Sequence, residues 1–397
     1  MVQFNSTTIN SATPGKAVMD WLDPILTTQG WTFVETTRPP LGTSAIQGST
    51  TGAVSSATAT ALTRSGGVSW SGSALIGYHV QITGGTGASS TPVVITANST
   101  SVLTVAAWPN DTPDNTSTYA IVGTSNIYKS PAANNSIGHD FYLALHRISD
   151  VSGSAYPLIF EEWDSGTKKA RKYAPYFGTG ITVNPADNTV TDATGLYPSL
   201  STVQGGSIMP NASILIPLNT PRTLYVDITV NRIVWGQVGT GAPADSGYVG
   251  VFQSLLPAAL DPVPLVSWRP DKGTNNLGGS ATTREPTAPA ASATNFQIAN
   301  AGTSATAREY AFIPTNSPAV GLVSPDLYQG YVAARITIGS GRGNTIPRGV
   351  LDGPVTAFSG GSQGDTLTVT MPDASVRHYV LTTVTSTTTV HFFVRTS

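Results

Sequence analysis

The chain has no cysteine among its 397 residues. That removes disulfide staples, thiolate zinc sites, iron–sulfur clusters and cysteine nucleophiles together. A protein that endures outside a cell without disulfides leans on packing and on association with other copies. Charge is scarce as well. Asp, Glu, Lys and Arg make up 11% of the residues, where about a quarter is usual. The net charge of -2 leaves no global field to draw in nucleic acid or an acidic membrane. No apolar run approaches the roughly 18 residues of a spanning helix. Met1 to Asn5 offers neither the basic nor the apolar region of a signal peptide. The expectation is a protein made and folded in a cytoplasm.

What is present suits strands and loops. Thr, Val, Ile, Tyr and Trp fit a half-buried pleated surface, and 40 Gly with 28 Pro supply turns. A disordered chain would pair low hydrophobicity with high charge, which is not this composition. The densest basic stretch, Lys168-Lys169-Ala170-Arg171-Lys172, follows Glu161, Glu162 and Asp164. It reads as a solvated hairpin turn rather than a nucleic-acid patch.

One helix is signalled. Thr13 stands where a cap belongs and Pro14 suits the first helical position. Ala17, Val18, Trp21, Leu22, Ile25 and Leu26 then fall on one face. Pro24 predicts a kink or a division. Gly30 ends the helix, and Trp31–Glu35 reads as the first strand.

Between Ser44 and Gly123 only Arg64, Asp111 and Asp114 are charged. Short strands are signalled at Ala61–Leu62, Tyr78–Thr83, Val93–Ala97, Val102–Val105 and Tyr119–Val122, a spacing that means a small barrel or sandwich. Beyond it, strands resume at Asn126–Ser130, Phe141–Arg147, Pro157–Trp163 and Lys172–Pro175. Leu224–Val230 and Ile233–Val238 predict a hairpin turning on Asn231-Arg232, and Tyr248–Leu256 continues the sheet.

The fold expected is therefore mainly β. Residues 1–43 and 124–268 form an antiparallel sandwich or barrel main domain with one N-terminal helix. Residues 44–123 are an inserted small β-barrel or sandwich. Residues 269–307, with almost no large apolar side chains, read as an extended arm or linker. Residues 308–397 form a last β segment, a small domain or the closing strands of the main one, with strands at Tyr331–Ile338, Asp365–Met371, Arg377–Val384 and Thr389–Val394.

Within the insertion, Thr60-Ala61-Leu62-Thr63, Trp70 and Ala74 to Ala88 (ALIGYHVQITGGTGA) come in order. Ile95-Thr96-Ala97-Asn98, Leu103-Thr104-Val105, Ala107-Trp108 and Asp114 to Val122 follow them. That order resembles a small β-domain recurring in virion proteins of tailed bacteriophages. The flanking Tyr128 to Asn134 with Asp140 to Leu143, the Gln29-Gly30-Trp31 helix end, and Tyr248 to Phe252 with Asp261 to Leu265 are similar to such proteins too. The resemblance spans about half the chain and implies a component of the particle. Ser89-Ser90 departs from the polar or basic residue that often follows the Gly-Thr-Gly-Ala turn, which weakens a ligand role for that turn.

Several patterns touch on chemistry. Gly360-Gly361-Ser362-Gln363-Gly364 matches a hydrolase nucleophile pattern, but a strand follows it instead of the required helix, so it reads as a loop. Gly339-Ser340-Gly341-Arg342-Gly343 has no helix behind it to hold a phosphate. The five histidines (His79, His139, His146, His378, His391) lack metal-ligand spacing, with His139-Asp140 the nearest approach. Glu162 and Asp164 share a strand face, whereas Glu161 and Glu162 do not, so paired-carboxylate glycosidase chemistry is poorly served. The seven tryptophans (Trp21, Trp31, Trp70, Trp108, Trp163, Trp235, Trp268) read mostly as core residues rather than sugar platforms.

The reading is thus a non-enzymatic structural protein of a tailed-phage virion, placed in the tail, baseplate or collar. It works through interfaces with copies of itself and other virion proteins. No catalytic residue, metal or cofactor is expected, and neither nucleic acid nor membrane insertion. A capsid decoration protein, or a fibre module binding host surface or glycan, are the alternatives. The glycan reading requires exposed aromatics beside the Thr83–Ser90 and Trp108–Asp114 loops, where only Trp108 qualifies.

Overall fold

The first strand, β1 (Gln3–Ile9), precedes the helix, α1 (Pro14–Thr28). Sequence reading names no strand there, because a polar run such as Gln3-Phe4-Asn5-Ser6-Thr7-Thr8 carries no alternation. Thr13 does hold the N-cap position, but its hydroxyl makes no cap bond. Pro24 neither divides the helix nor faces the core. It is exposed, so the Asp20 carbonyl it deprives of a partner can turn to water. Gly30 ends the helix at φ +92°, as Gly30 N–H donates to Thr27 O and Trp31 N–H to Leu26 O. These two bonds form a Schellman motif, which needs the left-handed conformation that glycine takes freely.

The structure is a computed structural model that describes residues 3–11, 13–38, 48–149, 154–166, 168–174, 182–184, 189–191, 214–216, 220–239, 246–255, 257–258, 263–269, 280–284, 296–299, 309–312, 326–328, 331–340, 346–358, 362–370, 374–384 and 390–397. After α1 comes β2 (Thr32–Thr37). Six strands follow: β3 (Thr51–Thr58), β4 (Ala61–Ser65), β5 (His79–Gly84), β6 (Val93–Asn98), β7 (Val102–Val105) and β8 (Thr118–Val122). Next are β9 (Thr124–Ser130), β10 (Phe141–Ser149), β11 (Ser154–Asp164), β12 (Lys169–Ala174), β13 (Thr182–Asn184), β14 (Thr189–Thr191) and β15 (Ile214–Leu215). The hairpin β16 (Arg222–Thr229) and β17 (Arg232–Val238) leads to β18 (Gly247–Val251), β19 (Gln253–Ser254) and β20 (Leu265–Arg269). Two further strands are β21 (Ser280–Arg284) and β22 (Phe296–Ala299). The rest are β23 (Glu309–Phe312), β24 (Asp326–Tyr328), β25 (Tyr331–Ser340), β26 (Ile346–Phe358), β27 (Thr366–Thr370), β28 (Val376–Val384) and β29 (Val390–Arg395).

These make three antiparallel sheets and one closed barrel. A seven-stranded sheet runs β1-β16-β17-β18-β20-β21-β22, and an eight-stranded sheet includes β13-β14-β12-β11-β10-β9-β2. Helix α1 packs on strands of both, laying Val18, Leu22 and Leu26 into one core with Leu143, Leu145, Val226, Ile228 and Trp235. Each such side chain, fully buried, contributes about 1.5–3 kcal/mol. The C-terminal sheet runs β23-β25-β26-β29-β28-β27, with β24 on β25 and β19 reaching over to β26.

The barrel closes in the order β3-β4-β7-β6-β5-β8. It hangs between neighbours, because the strands on either side of it in sequence, β2 and β9, pair with each other through Thr37 and Ser125. Its core is its own. Leu62, Ile82, Ile95, Leu103 and Ile121 point inward, and the β4–β5 connection adds Trp70, Leu75 and Tyr78.

The hairpin turns one residue earlier than its composition suggests. Val230-Asn231 is the turn and Arg232 opens β17, opposite Thr229. Arg232 thereby leaves the turn for the ladder, on the strand face that also carries Asp227, and is buried there. The guanidinium is 2% exposed and meets the fully buried Asp227 at 3.0 Å and the mostly exposed Asp352 at 3.0 Å. This charged cross-link joins the seven-stranded sheet to β26. Close by, Gly236 leaves room for Thr382, whose hydroxyl shares a 2.9 Å hydrogen bond with Ser246.

Of the 269–307 segment expected as an arm, the described parts beyond Arg269 are β21 and β22, the last strands of the seven-stranded sheet. The remainder lies outside the described residues. β26, 13 residues long, is absent from the sequence reading because Pro347, Gly349, Gly353 and Pro354 interrupt it.

Candidate functional site

Arg147 and Arg38 lie near the neck where the barrel joins the scaffold. Arg147, at the end of β10, is 2% exposed. Its guanidinium lies 4.1 Å over the Tyr78 ring and donates to the Ile76 carbonyl at 2.6 Å. Gly77, between those two residues, has φ +80°, and a Cβ there would stand 2.7 Å from Arg147 Nη1. Arg38, just past β2, donates to Thr124 Oγ1 at 2.7 Å. His79 comes next on the barrel side, 8% exposed, its Nδ1 without a hydrogen-bond partner. Burial, with Arg38 and Arg147 alongside, pushes its pKa down to about 4. The ring is neutral near pH 7.

At another place on the barrel, an open groove of about 540 Å³ is lined by Gly85, Thr86, Gly87, Ala88, Asn110 and Asp111. The loops around it are tied tightly. Thr86 Oγ1 donates to Asp114 Oδ2 at 2.8 Å, Ser117 Oγ to Thr86 O at 2.6 Å and Asn110 Nδ2 to Ala88 O at 2.7 Å. Gly85 and Gly87 take φ of +74° and +75°, and a Cβ on either would strike a backbone carbonyl of the facing loop. The glycines thus serve loop closure. No aromatic lines the groove. Trp108, the one candidate for a sugar platform, is 8% exposed, packs in the barrel core and donates its indole N–H to Thr58 O. That removes the aromatic the glycan reading required.

The other residues singled out in sequence are scattered, and most are engaged. Ser362 lies in a loop before β27, its N–H bonded to Asp365 Oδ2. Neighbouring Gln363 donates to Gln237 O and Thr382 O, so this loop fastens the C-terminal sheet to β17. Gly360 and Gly361 fall outside the described residues, as do Gly341, Arg342 and Gly343. His139 gives its carbonyl to Asn135, while Asp140 takes Lys129 and the Ala132 N–H. Among the described residues no three metal-ligating side chains come together. His146 is fully buried and its pKa is pushed down to about 3 by that burial. His378 Nδ1 shares a 3.0 Å hydrogen bond with Thr368, and His391 lies in β29.

Glu161, Glu162 and Asp164 lie on β11, where Glu162 stands opposite Arg171. Their neighbour Trp163 donates to Glu35 at 2.8 Å, and Glu35 also pairs with Lys168 at the β11–β12 turn. Partial burial works against the charge on Glu35, but Lys168 and Trp163 outweigh it and hold the carboxyl below its usual range. Trp31, Trp70 and Trp235 are core residues, whereas Trp21 is only partly buried against the helix core. Trp268 lies in β20.

Arg147, Arg222, Arg232 and Asp227 are buried charged groups that sequence reading missed, as is Arg38 beside the neck. Arginine on an otherwise apolar strand is the signal available for the first, as in Phe141-Tyr142-Leu143-Ala144-Leu145-His146-Arg147. No protein-family model matches the chain, and no curated protein does.

Proposed function

We propose that this chain is a structural component of a tailed bacteriophage particle, in the tail, baseplate or collar, acting through protein–protein contacts in a symmetric assembly rather than as an enzyme. The observation that carries this reading is the closed barrel with its own core, spliced between two hydrogen-bonded strands of a β scaffold. A module attached in this way can present a surface without disturbing the sheet that carries it. The barrel also holds the residue order that resembles the small β-domain of phage virion proteins. Support comes as well from how the chain uses its few charges: Arg147 grips the barrel, Arg232 and Asp227 join two sheets, and Glu35 ties β2 to the β11–β12 turn. Such groups hold architecture together.

In this reading the scaffold makes the assembly contacts and the barrel projects outward. A neighbouring copy joins at the end of the seven-stranded sheet, where β21 and β22 come from the 269–307 segment, by adding strand to strand. Electron cryo-microscopy of purified particles tests the reading. The expected result is repeated copies of barrel and scaffold in the tail, baseplate or collar. Density on the capsid surface would make the protein a decoration protein instead, and absence from particles would overturn the proposal. Deleting 270–307 tests the contact: particles that still incorporate the shortened chain would refute it.

A further inference from the structure

A strand at the rim of a sheet exposes unpaired N–H and C=O groups, and natural proteins shield such rims with charge, proline, bulges or cover. β2, the rim of the eight-stranded sheet, is shielded in this way. Its ladder is bulged between Phe33 and Glu35, and Glu35 pairs with Lys168. β27, at the rim of the C-terminal sheet, has β24 beside it. β1, the rim of the seven-stranded sheet, has no such device. Gln3–Ile9 carries no charge, proline or glycine, and it follows β16 through seven pairs without a bulge. Among the described residues, its backbone bonds to β16 alone. Ser6 and Thr8 are exposed. On the face that Phe4, Ser6 and Tyr225 share lies a recess of about 90 Å³, which Asn5 and Thr396 complete. The Arg395 guanidinium lies 4.7 Å over the Phe4 ring and fixes that wall.

We propose that β1 is a self-association edge: two copies pair β1 with β1, antiparallel about a two-fold axis, and join their seven-stranded sheets into one. The occupant follows from the strand's own order. Ser6 is the midpoint of β1. An axis there sets Ser6 opposite Ser6, Asn5 opposite Thr7, Phe4 opposite Thr8 and Gln3 opposite Ile9. No charge meets a like charge, and a short side chain stands on the axis. Residues directly opposite in an antiparallel pair share a face, so Ser6 and Thr8 of the second copy arrive beside the recess. Its small volume and its polar lining suit short hydroxyl side chains. Main-chain bonds then give the affinity, and the recess selects the register. β1 itself supplies the short, uncharged order that this edge accepts. The contact is isologous and lies at the opposite edge of the sheet from β22. It therefore stands apart from the contact proposed there and from the particle reading.

Light scattering on the full chain tests the edge, and the expected result is a concentration-dependent dimer. Ser6→Lys sets two like charges on the axis and should weaken the dimer by about fivefold or more, as should Ser6→Asp. Mixing the two variants should restore it, because lysine then faces aspartate. Amide exchange in β16 reports whether each variant keeps its sheet. The absence of native cysteine allows a second measurement that needs no loss of affinity. Ser6→Cys should cross-link two copies under mild oxidation. Thr8→Cys, four residues out of register with its own copy and so about 14 Å away, should not. Should Ser6→Lys unfold β16, the two cysteine variants decide alone. A native chain that stays monomeric, a dimer that Ser6→Lys leaves unchanged, a mixture that stays monomeric, or equal cross-linking at both positions would each overturn the two-fold edge.

Discussion

Replacing Asp227 by alanine takes the counter-charge from a guanidinium that is 2% exposed. At an effective dielectric of about 20, two unit charges 3.0 Å apart attract by about 5 kcal/mol before desolvation is counted. Desolvation is large here. Burial raises the Asp227 carboxyl above its ordinary range even against the pull of Arg232. The net worth of the pair over a well-packed apolar one is therefore near zero, whereas breaking it leaves an uncompensated buried charge at about 3–5 kcal/mol. Asp352 contacts the same guanidinium at the same 3.0 Å, but its side chain is 69% exposed. Its removal should change stability by about 0–1 kcal/mol. The contrast between two carboxylates on one arginine is the informative quantity. Urea unfolding followed by amide exchange in β16 and β17 reads it locally, which matters because the separately cored barrel need not unfold in the same transition. Asp227→Leu combined with Arg232→Met should recover most of the loss. Equal effects of Asp227→Ala and Asp352→Ala, or a double variant as weak as the single one, would refute a low-dielectric cross-link between the sheets.

Gly87→Ala places a Cβ against the Asp111 carbonyl at φ +75°, so the barrel should lose about 1–3 kcal/mol. Thermal unfolding with exchange readout should confine that loss to β3–β8. Trp108→Phe removes the indole bond to Thr58 and should destabilise the barrel by about 1 kcal/mol. If it leaves stability unchanged, that bond is not part of the barrel's energetics. His146, fully buried and held near pKa 3, stabilises the fold above about pH 6.5 and progressively less as the pH falls toward 3. A fall from 6.5 to about 3 sets a ceiling of about 5 kcal/mol on this contribution. His146→Leu should flatten this acid limb in a pH series of urea midpoints, and an unchanged limb would assign the acid loss to other groups.

Much of the architecture is legible in the amino-acid order, since periodicity and punctuation act locally. The face of α1, the Gly30 stop, five of the six barrel strands and the β9–β10–β11 meander all follow from spacing of apolar residues and turn residues. β1, β3 and β26 do not, because polar edges and Gly- or Pro-broken runs become strands only when a partner strand supplies the hydrogen bonds. Trp108 shows the same limit on the site: it looks like a loop aromatic in sequence, yet the barrel closes over it. The neck depends on still longer range, since Ile76–His79 and Arg147 lie some seventy residues apart and meet only once β2 and β9 pair.

The sequence by itself determined a β-rich chain without thiol chemistry and with one helix, because composition and short-range pattern bear directly on those properties. Tertiary structure alone decided where the few charges go. The β16–β17 ladder puts Arg232 on the face of Asp227, and the fold sets Arg147 of the scaffold against Ile76 and Tyr78 of the barrel. Burial and charge pairing depend on which distant strands become neighbours, and no local pattern encodes that.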